Sequence, residues 1–333
     1  MEESDSVPLF SFGVIADIQY ADIEDGFNFT RTRQRFYRSS LELLERAQKH
    51  WSEETPRPRF VLQLGDLIDG FNRIHEASEK ALDTVLSRLS PGPADIPVHH
   101  VWGNHEFYNF NRTFLLQSRL NSTPMSAQDQ HLLTVSPGSD THAYHFSPEP
   151  GFRFVVLDAY DESLLGRDEC SAEYQRALEM IRVHNQNQDL NCPPESGFLQ
   201  KRFTKFNGGL GGDQLTWLQA VLTLADRQQG RVVVVSHLPV HLGSTDPMCL
   251  AWNYDKVLEL LSSHSSVVCF LAGHDHDGGY CLDPETGVHH VTLEGVIETA
   301  PESDAFGTVY VYEDRMVLKG RGRVQDRTLM FLS

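Results

Sequence analysis

Six short apolar runs recur along the chain, and each one ends in polar residues. The runs are rich in β-branched and aromatic residues with little alternation, which is typical of strands buried on both faces of a sheet. They occupy residues 10–17, 59–66, 96–104, 153–160, 231–237 and 266–274. Between and around them, apolar residues at helical spacing predict helices over residues 31–51, 75–89, 171–184, 213–228 and 253–263. This alternation of strand and helix predicts an α/β fold, in which ligands bind at the carboxyl ends of the strands.

Two regions depart from this pattern. Residues 289–299 and 307–324 alternate polar and apolar positions around turn-forming residues, which predicts antiparallel strands that complete a second sheet. Residues 161–212 show little apolar periodicity and contain the runs NQNQDLNCPPESG and NGGLGG. We therefore expect one domain over residues 8–333, with an insertion at about 161–212 that forms either a lid or a plain surface loop.

The composition is that of an acidic globular protein. The 333 residues include 28 Lys and Arg against 46 Asp and Glu, a formal net charge of -18. Long-range repulsion argues against a nucleic-acid or anionic-membrane partner, and an anionic substrate would need local positive charge such as bound metal cations supply. No apolar run approaches the roughly 20 residues that cross a bilayer. Five cysteines without a CxxC pair indicate free thiols in a reducing compartment. We expect a cytoplasmic monomer.

Polar clusters close five of the apolar runs. A single Gly-Asp or Gly-Asn pair is more often a turn, and a lone histidine at a strand end is more often a hydrogen-bonded structural residue than a ligand. Five such clusters at converging strand ends would crowd carboxylates, amides and imidazoles into one pocket, which is costly unless cations fill it. The clusters are Asp17-x-Gln19, Gly65-Asp66, Gly103-Asn104-His105-Glu106, Ser236-His237 and Gly273-His274-x-His276.

The order of these clusters, over residues 17 to 276, resembles that of the calcineurin-like dinuclear metallophosphoesterases. The resemblance implies a four-layer α/β/β/α sandwich of two mixed sheets flanked by helices, with two divalent metal ions at the strand ends. It also implies that Asp66 bridges the ions and that His105 stands beside the scissile phosphate. One ion would be held by Asp17, Gln19, Asp66 and His276, and the other by Asp66, Asn104, His237 and His274.

The chemistry of such a centre explains these residue types. Two divalent ions roughly 3.5–4 Å apart can share a hydroxide and clamp the oxygens of an in-line displacement at phosphorus. A carboxylate such as Asp66 bridges two cations and cancels part of their charge, while neutral imidazoles and an amide oxygen leave net positive charge facing the substrate. His105 could donate a proton to the leaving oxygen or hold a phosphoryl oxygen as imidazolium. Asp66 and His105 are therefore the expected catalytic residues.

Gln19 departs from the family pattern, which has His at this position. An amide oxygen is a harder ligand than an imidazole nitrogen, and oxygen-rich sites suit Mn²⁺ or Mg²⁺ better than Zn²⁺ or iron. We therefore expect two divalent ions, preferably Mn²⁺, with the ion beside Gln19 weakly held. Asp69 is a second departure, because the purple acid phosphatases have a metal-binding Tyr at that position. A coloured Fe³⁺ centre is not expected.

Within the family, the chain is similar to the manganese-dependent ADP-ribose/CDP-alcohol diphosphatases, in the stretches ADIQYAD, LQLGDLIDG, WGNHEFYN, SHLPVH and GHDHDGGY. That resemblance implies hydrolysis of the diphosphate bond of ADP-ribose, CDP-choline, CDP-ethanolamine or CDP-glycerol to a nucleoside monophosphate and a phosphate monoester. A phosphomonoesterase or protein phosphatase of the same fold and a non-catalytic scaffold remain alternatives. A nuclease is disfavoured by the acidic charge.

Several side chains could contact a nucleotide, although each has a structural alternative. Aromatic rings near the motifs could stack on a base or pack in the core. Arg31, Arg33 and Arg35 could reach the distal phosphate or line a solvated helix face. Cys249 and the 161–212 segment could border the nucleotide pocket. The aromatic candidates are Tyr20, Phe107, Tyr108, Phe110, Trp252 and Tyr254.

Overall fold

The structure of the protein, a computed structural model, describes residues 7–89, 96–126, 140–195 and 197–332. The strands are β1 (Phe10–Ile15), β2 (Gly26–Phe27), β3 (Gln34–Arg35), β4 (Val61–Gln63), β5 (Val98–His100), β6 (Tyr144–Glu149), β7 (Phe152–Val156), β8 (Arg231–Val235), β9 (Val267–Ala272), β10 (Gly279–Leu282), β11 (His289–Thr292), β12 (Ala305–Val311), β13 (Arg315–Gly322) and β14 (Arg327–Met330). The helices are α1 (Ser39–Glu53), α2 (Phe71–Ile74), α3 (Ser78–Leu89), α4 (Asn104–Asn109), α5 (Arg112–Gln117), α6 (Ala172–His184), α7 (Gly212–Arg227) and α8 (Tyr254–Ser262).

Two six-stranded sheets carry the fold. The first has the order β14-β13-β12-β1-β4-β5, with β1, β4 and β5 parallel and β12 to β14 antiparallel. The second has the order β10-β11-β9-β8-β7-β6, in which the four inner strands are parallel and the two edge strands are antiparallel to their neighbours. Both sheets are therefore mixed, and the predicted α/β class is confirmed.

Aromatic side chains join the inner faces of the two sheets. Phe12 of β1 stacks on Phe60 at 5.1 Å between ring centroids and meets Phe154 of β7 edge-on at 5.2 Å. Phe60 also contacts Phe146 of β6 at 5.1 Å. Each such pair adds roughly 0.5–1.5 kcal/mol beyond the area that it buries. The core of the molecule therefore lies between the sheets.

Helices cover the outer faces. Trp51 of α1 packs over Gly13 of β1, where a Cβ atom would lie 2.6 Å from the indole ring, and its Nε1 donates to the carbonyl oxygen of Gly307. On the other side, the ring of Trp217 of α7 lies 6.3 Å from that of His145 of β6. The result is the four-layer sandwich that the family resemblance implied.

Two predictions about secondary structure are wrong in part. The C-terminal strands β12 to β14 are antiparallel as expected, but they extend the first sheet through β12 and β1. Residues 289–292 join the second sheet, with β11 parallel to β9. The helix predicted from residue 31 begins only at Ser39, because the Asn28 side chain accepts hydrogen bonds from the backbone of Thr32 and Arg33 and closes the β2–β3 hairpin.

Residues 161–212 leave and rejoin the fold at one place. Glu162 and Gly209 exchange two backbone hydrogen bonds of 2.9 Å shortly after β7. Between these residues lie α6 and a 3₁₀ helix at Phe198–Arg202. Five residues of the segment form a small apolar cluster with Trp252, which lies outside it; the five are Leu164, Ala177, Ile181, Leu190 and Phe203.

Across the described ranges, none of the helices combines the length and the apolar character that crossing a bilayer requires.

Candidate metal centre

The seven predicted metal ligands all follow strands and meet at one edge of the sandwich. The strands β1, β4 and β5 are neighbours in the first sheet, and β8 and β9 are neighbours in the second. Their carboxyl ends therefore converge, as expected for parallel strands. Asp17 and Gln19 follow β1, Asp66 follows β4, Asn104 follows β5, His237 follows β8, and His274 and His276 follow β9.

The backbone is strained at four of these residues. Asp17, Gln19, Asp66 and His274 have φ angles of 53°, 44°, 58° and 69°. Positive φ is uncommon outside glycine and costs on the order of 1–3 kcal/mol per residue when the surrounding structure enforces it. At a strand end this conformation turns the side chain sharply, and here it directs polar groups into the shared site.

The glycines of the motifs leave room for these side chains. A Cβ atom at Gly103 would collide with Asp66 Oδ1 and lie 2.7 Å from His237 Cε1. A Cβ atom at Gly65 would collide with His237 Nδ1, and Gly65 has a φ of 104°. The Gly-Asp and Gly-Asn-His-Glu motifs therefore need glycine for close approach as well as for turning.

Asp66 lies at the centre of the site. Its Oδ2 atom is 3.2 Å from Gln19 Nε2 and 3.5 Å from His237 Nε2. Its Oδ1 atom accepts a 2.8 Å hydrogen bond from the backbone N–H of His105. The side chain is 1% exposed. Asp66 therefore contacts both groups of predicted ligands, which is the position that a bridging carboxylate needs.

The first group of ligands surrounds the side-chain amide of Gln19. His276 Nε2 lies 3.4 Å from Asp17 Oδ1 and 2.9 Å from Gln19 Nε2. Gln19 Oε1 is buried and makes no hydrogen bond within the described residues. A buried acceptor without a donor is costly. A turn of the amide about its terminal bond would aim that oxygen between Asp66 and His276. This donor set of two carboxylates, one amide and one imidazole fits a hard divalent ion.

The second group is equally compact. His237 Nε2 lies 3.3 Å from Asn104 Oδ1 and 3.2 Å from His274 Nδ1. One ligand atom each from Asp66, His237 and His274 lie within 4.8 Å of one another. Asn104 Oδ1 also accepts a 3.2 Å hydrogen bond from the hydroxyl of Tyr160, a fully buried residue that the sequence did not single out. These residues fit the second predicted ion.

Electrostatic coupling is strong in the buried site. Burial alone would raise the pKa of Asp66, but the charges of His237 and His105 outweigh it and hold that pKa well below its ordinary value. Burial opposes charge on His237 as well, yet Asp66 raises its pKa to about 9. For His274, burial and the neighbouring His237 keep the pKa well below the ordinary value. Without a metal, the site therefore pairs the Asp66 anion with a protonated His237. A bound cation can take the place of that proton.

His105 faces the site from the first turn of α4. The backbone N–H of Gly70 donates a 2.9 Å hydrogen bond to His105 Nδ1. In the neutral ring the hydrogen therefore sits on Nε2, which lies 3.9 Å from Asp66 Oδ2. The Tyr108 ring is 5.0 Å from the imidazole. A hydrogen-bond donor is thus aimed at the space beside the predicted metal pair.

Glu106 holds together the loops that carry these residues. Its carboxylate accepts backbone hydrogen bonds from Asp66 at 2.8 Å, Leu67 at 2.7 Å and Gly103 at 2.7 Å. Burial and the charge of Asp66 raise the pKa of Glu106 to about 7, although the three donors favour its anion. The sequence placed Glu106 in the motif without a role, and the structure assigns it to the backbone of two strand ends.

Glu298 supports His276 from a part of the chain that sequence reasoning missed. Glu298 Oε1 lies 2.9 Å from His276 Nδ1 and accepts a 3.3 Å hydrogen bond from Arg35 Nε. Arg35 Nη1 lies 3.8 Å from Asp69 Oδ2, which in turn is 3.4 Å from His105 Nδ1. A chain of charged groups therefore runs behind the site. The run GVIET around Glu298 contains no motif from which this role could have been predicted.

The nucleotide-binding candidates have varied positions. None of the three arginines lies on the helix that the sequence predicted; Arg33 pairs with Asp277 at 2.5 Å and Arg35 is held by two carboxylates. Arg31 is exposed. Among the aromatic residues, Phe107, Phe110 and Trp252 are buried and pack in hydrophobic clusters. Partly buried rings remain at Tyr20, Tyr108 and Tyr254, and Cys249 is also partly buried.

Comparison with known proteins identifies the class to which this fold and site belong. Residues 10–278 match the model of the calcineurin-like phosphoesterase family, so the chain belongs to that family. It is 57% identical, over 97% of its length and 99% of the relative, to the manganese-dependent ADP-ribose/CDP-alcohol diphosphatase of Danio rerio. The diphosphatase of the same name from Bos taurus is 54% identical over 99% of this chain and 97% of that protein.

A solved structure is similar over the same extent. The crystal structure of a dimetal phosphatase from Danio rerio superposes with a TM-score of 0.91 at 56% identity, covering 98% of this chain and 100% of that chain. The resemblance inferred from the strand-end motifs is thereby confirmed.

Proposed function

We propose that this protein is a diphosphatase that hydrolyses ADP-ribose and CDP-alcohols, including CDP-choline, CDP-ethanolamine and CDP-glycerol, with two divalent metal ions and Mn²⁺ preferred. The products are a nucleoside monophosphate and a phosphate monoester. The observation that carries the proposal is the meeting of seven ligand-type side chains from five strand ends. It occurs in a chain 57% identical to a diphosphatase of that specificity.

In this proposal the ligand-type side chains divide into two sets that share Asp66. Bound divalent ions supply activation of water and stabilisation of the charge that develops at phosphorus. The buried Gln19 Oε1 has no partner among the described residues, and turning the amide would place this oxygen between Asp66 and His276, where a cation at the first set would satisfy it. The first set is Asp17, Gln19, Asp66 and His276, and the second is Asp66, Asn104, His237 and His274.

His105 is the proposed catalytic residue beside the scissile phosphate. With its Nδ1 occupied by the Gly70 N–H, His105 presents Nε2–H and would donate a hydrogen bond to a phosphoryl oxygen. A phosphate monoester is already a good leaving group, so a diphosphate substrate makes small demands on proton donation. The backbone N–H of His105 meanwhile orients Asp66 Oδ1. The two residues act as one unit.

The proposal extends to the organisation and location of the protein. We infer a single domain over residues 8–333 with an insertion at about 161–212, acting as a cytoplasmic monomer without a nucleic-acid or membrane partner. The net charge of -18 supports the absence of a polyanionic partner. The five cysteines, all in described ranges, are free thiols there, which supports a reducing compartment.

A substrate panel tests the proposed reaction. Purified protein with Mn²⁺ should release AMP and ribose 5-phosphate from ADP-ribose, and CMP from the CDP-alcohols. A phosphopeptide and a simple phosphate monoester, tested at the same metal concentration, should be poor substrates. Faster release of phosphate from either of them would replace the diphosphatase with a phosphomonoesterase or protein phosphatase. Metal binding without turnover of any compound would indicate a scaffold.

A further inference from the structure

The segment 161–212 reaches the candidate metal centre through the buried side chain of Asn207, beside which the ring of Phe206 lies 5.9 Å from that of His274. Asn207 is 0% exposed, and its Oδ1 atom lies 2.8 Å from His274 Nε2. It stands where the segment rejoins the fold, two residues before Gly209, which pairs with Glu162. The segment therefore ends in a direct contact with a predicted ligand, and this contact was not foreseen from the sequence.

The hydrogen bonds of Asn207 fix which way its amide points. Both hydrogens of Nδ2 are taken by carbonyl oxygens, of Arg202 at 2.8 Å and of Met248 at 2.7 Å. If the amide were flipped, Oδ1 would face these two carbonyl oxygens. Three buried acceptors would then lie together without a donor, which is costly. The main chain of Asn207 is anchored too, since its carbonyl oxygen accepts from Ser163 Oγ at 3.2 Å. Asn207 Oδ1 must therefore face His274.

A fixed acceptor at Nε2 determines the tautomer of His274. Nε2 has to carry the hydrogen in order to donate to Asn207 Oδ1. In the neutral ring the lone pair is then on Nδ1, the atom that lies 3.2 Å from His237 Nε2, which in turn lies 3.5 Å from Asp66 Oδ2. Second partners of this kind orient the histidines of metal sites and raise their basicity.

We propose that Asn207 is a positioning residue for the second metal ion, and that the segment 161–212 supports the metal centre through it. By accepting from Nε2–H, Asn207 aims the Nδ1 lone pair of His274 towards the space shared with Asp66 and His237. This inference rests on the metal roles in the proposed function. It assigns the segment a structural task at the site that neither a lid nor a plain surface loop would have.

The chain offers a matched control in the same segment. Asn185 is also 0% exposed, and its Nδ2 donates to the carbonyl oxygens of Leu190, Cys192 and Phe203 at 3.4, 3.0 and 2.7 Å. Its Oδ1 accepts from the backbone N–H of Asn187. Asn185 therefore has the burial and the bond types of Asn207, but none of its hydrogen bonds reaches a predicted ligand.

Isothermal titration calorimetry with MnCl₂ tests the proposal. It measures metal binding directly and does not depend on turnover. Asn207→Ala should lower the affinity for one of the two Mn²⁺ ions by about 10–100-fold. This is the usual effect of removing a residue that hydrogen-bonds to a metal-binding histidine. Asn185→Ala should leave both affinities as in the wild type, although both variants should lower the melting temperature. Asn207→Asp retains an acceptor oxygen and should bind Mn²⁺ more tightly than Asn207→Ala. Equal losses in the two alanine variants, or wild-type affinity in Asn207→Ala, would overturn the proposal.

A spectroscopic experiment measures the tautomer of His274 in the wild-type protein itself. In metal-free wild-type protein with ¹⁵N-labelled histidine, ring correlations should show His274 as the Nε2–H tautomer, with the signal assigned by its loss in His274→Gln. An Nδ1–H form would overturn the proposal whatever the variants do. A different result would contradict the proposed function. If wild-type protein bound two Mn²⁺ ions but left ADP-ribose intact, the diphosphatase activity would be refuted and the role of Asn207 would not.

Discussion

Replacing Glu298 by Gln tests how far a carboxylate behind the site supports His276. The carboxylate is held in its charged form by two neighbours. Burial raises its pKa, but the hydrogen bond and charge of His276 and the charge of Arg35 outweigh burial and lower the pKa from 4.5 to about 2. One pKa unit is worth about 1.4 kcal/mol, so these neighbours favour the anion by about 3 kcal/mol.

The sign of the effect follows from the depressed pKa. A carboxyl with a lower pKa in the folded state contributes stability above its unfolded value of 4.5, and that stability is lost as the pH falls towards 2. In metal-free protein at pH 7, where His276 can carry its charge, Glu298→Gln should therefore lower the free energy of unfolding by up to about 3 kcal/mol. The difference from the wild type should narrow below pH 4.5. Mn²⁺ affinity at pH 7 should also fall, by about 10–100-fold, because His276 loses its charged partner.

Urea unfolding at pH 7 and pH 4, together with Mn²⁺ titration at pH 7, measures both effects. Glu54→Gln is the control, since Glu54 is a poorly exposed carboxylate that accepts from the hydroxyls of Thr308 and Tyr310, away from the site. Hydroxyl groups can turn to suit an amide, so this variant should leave Mn²⁺ affinity unchanged. The reasoning fails if Glu298→Gln unfolds within 1 kcal/mol of the wild type and binds Mn²⁺ equally well.

Three further changes probe the bridge, the metal preference and the buried histidines. Asp66→Ala should abolish ADP-ribose hydrolysis and reduce Mn²⁺ binding at both ions, so near-normal turnover would refute the bridge. Gln19→His should keep the fold but shift the activity ratio from Mn²⁺ towards Zn²⁺ and tighten binding; an unchanged ratio across Mn²⁺, Mg²⁺ and Zn²⁺ would contradict our account of Gln19. Burial and then the nearby His100 lower the pKa of His99 to about 3, so the folded protein loses about 2 kcal/mol through this ring as the pH falls from 7.5 to 5. Urea unfolding at pH 7.5 and pH 5 should show a smaller loss of unfolding free energy in His99→Phe than in the wild type. A variant of the exposed His75 should show the same loss as the wild type.

Much of the candidate site could be predicted from short stretches of sequence, because neighbouring residues in each stretch fix the local position of the ligand. A buried strand, a glycine that permits close approach and a ligand residue follow one another at β4, β5 and β9. Parallel strands bring their carboxyl ends to one edge. Residue type then decided the chemistry, since Asp66, Asn104 and His237 can ligate a divalent ion and an apolar residue cannot. The α/β class followed from the alternation of the same runs with helices, and the four layers followed from the family resemblance.

The partners of the ligands were decided only by tertiary structure. Glu298 meets Arg35 across 263 positions in sequence, and Asn207 meets His274 across 67. No periodicity or local propensity links residues that far apart, because such contacts arise from how whole elements pack. The tautomer of His274 belongs to this class, as does the position of the partly buried Arg35 between two carboxylates rather than on a helix face.

The placement of the C-terminal strands shows the same division. Alternation in residues 307–324 determined that they are strands, since a strand with two different faces has that period. It could not determine the sheet, because β12 pairs with β1 at the other end of the chain through backbone hydrogen bonds that carry no side-chain signature. The sequence by itself thus determined the buried strands, most of the long helices and the ligand chemistry. Long-range packing decided which sheet each strand joined and which side chain orients each ligand.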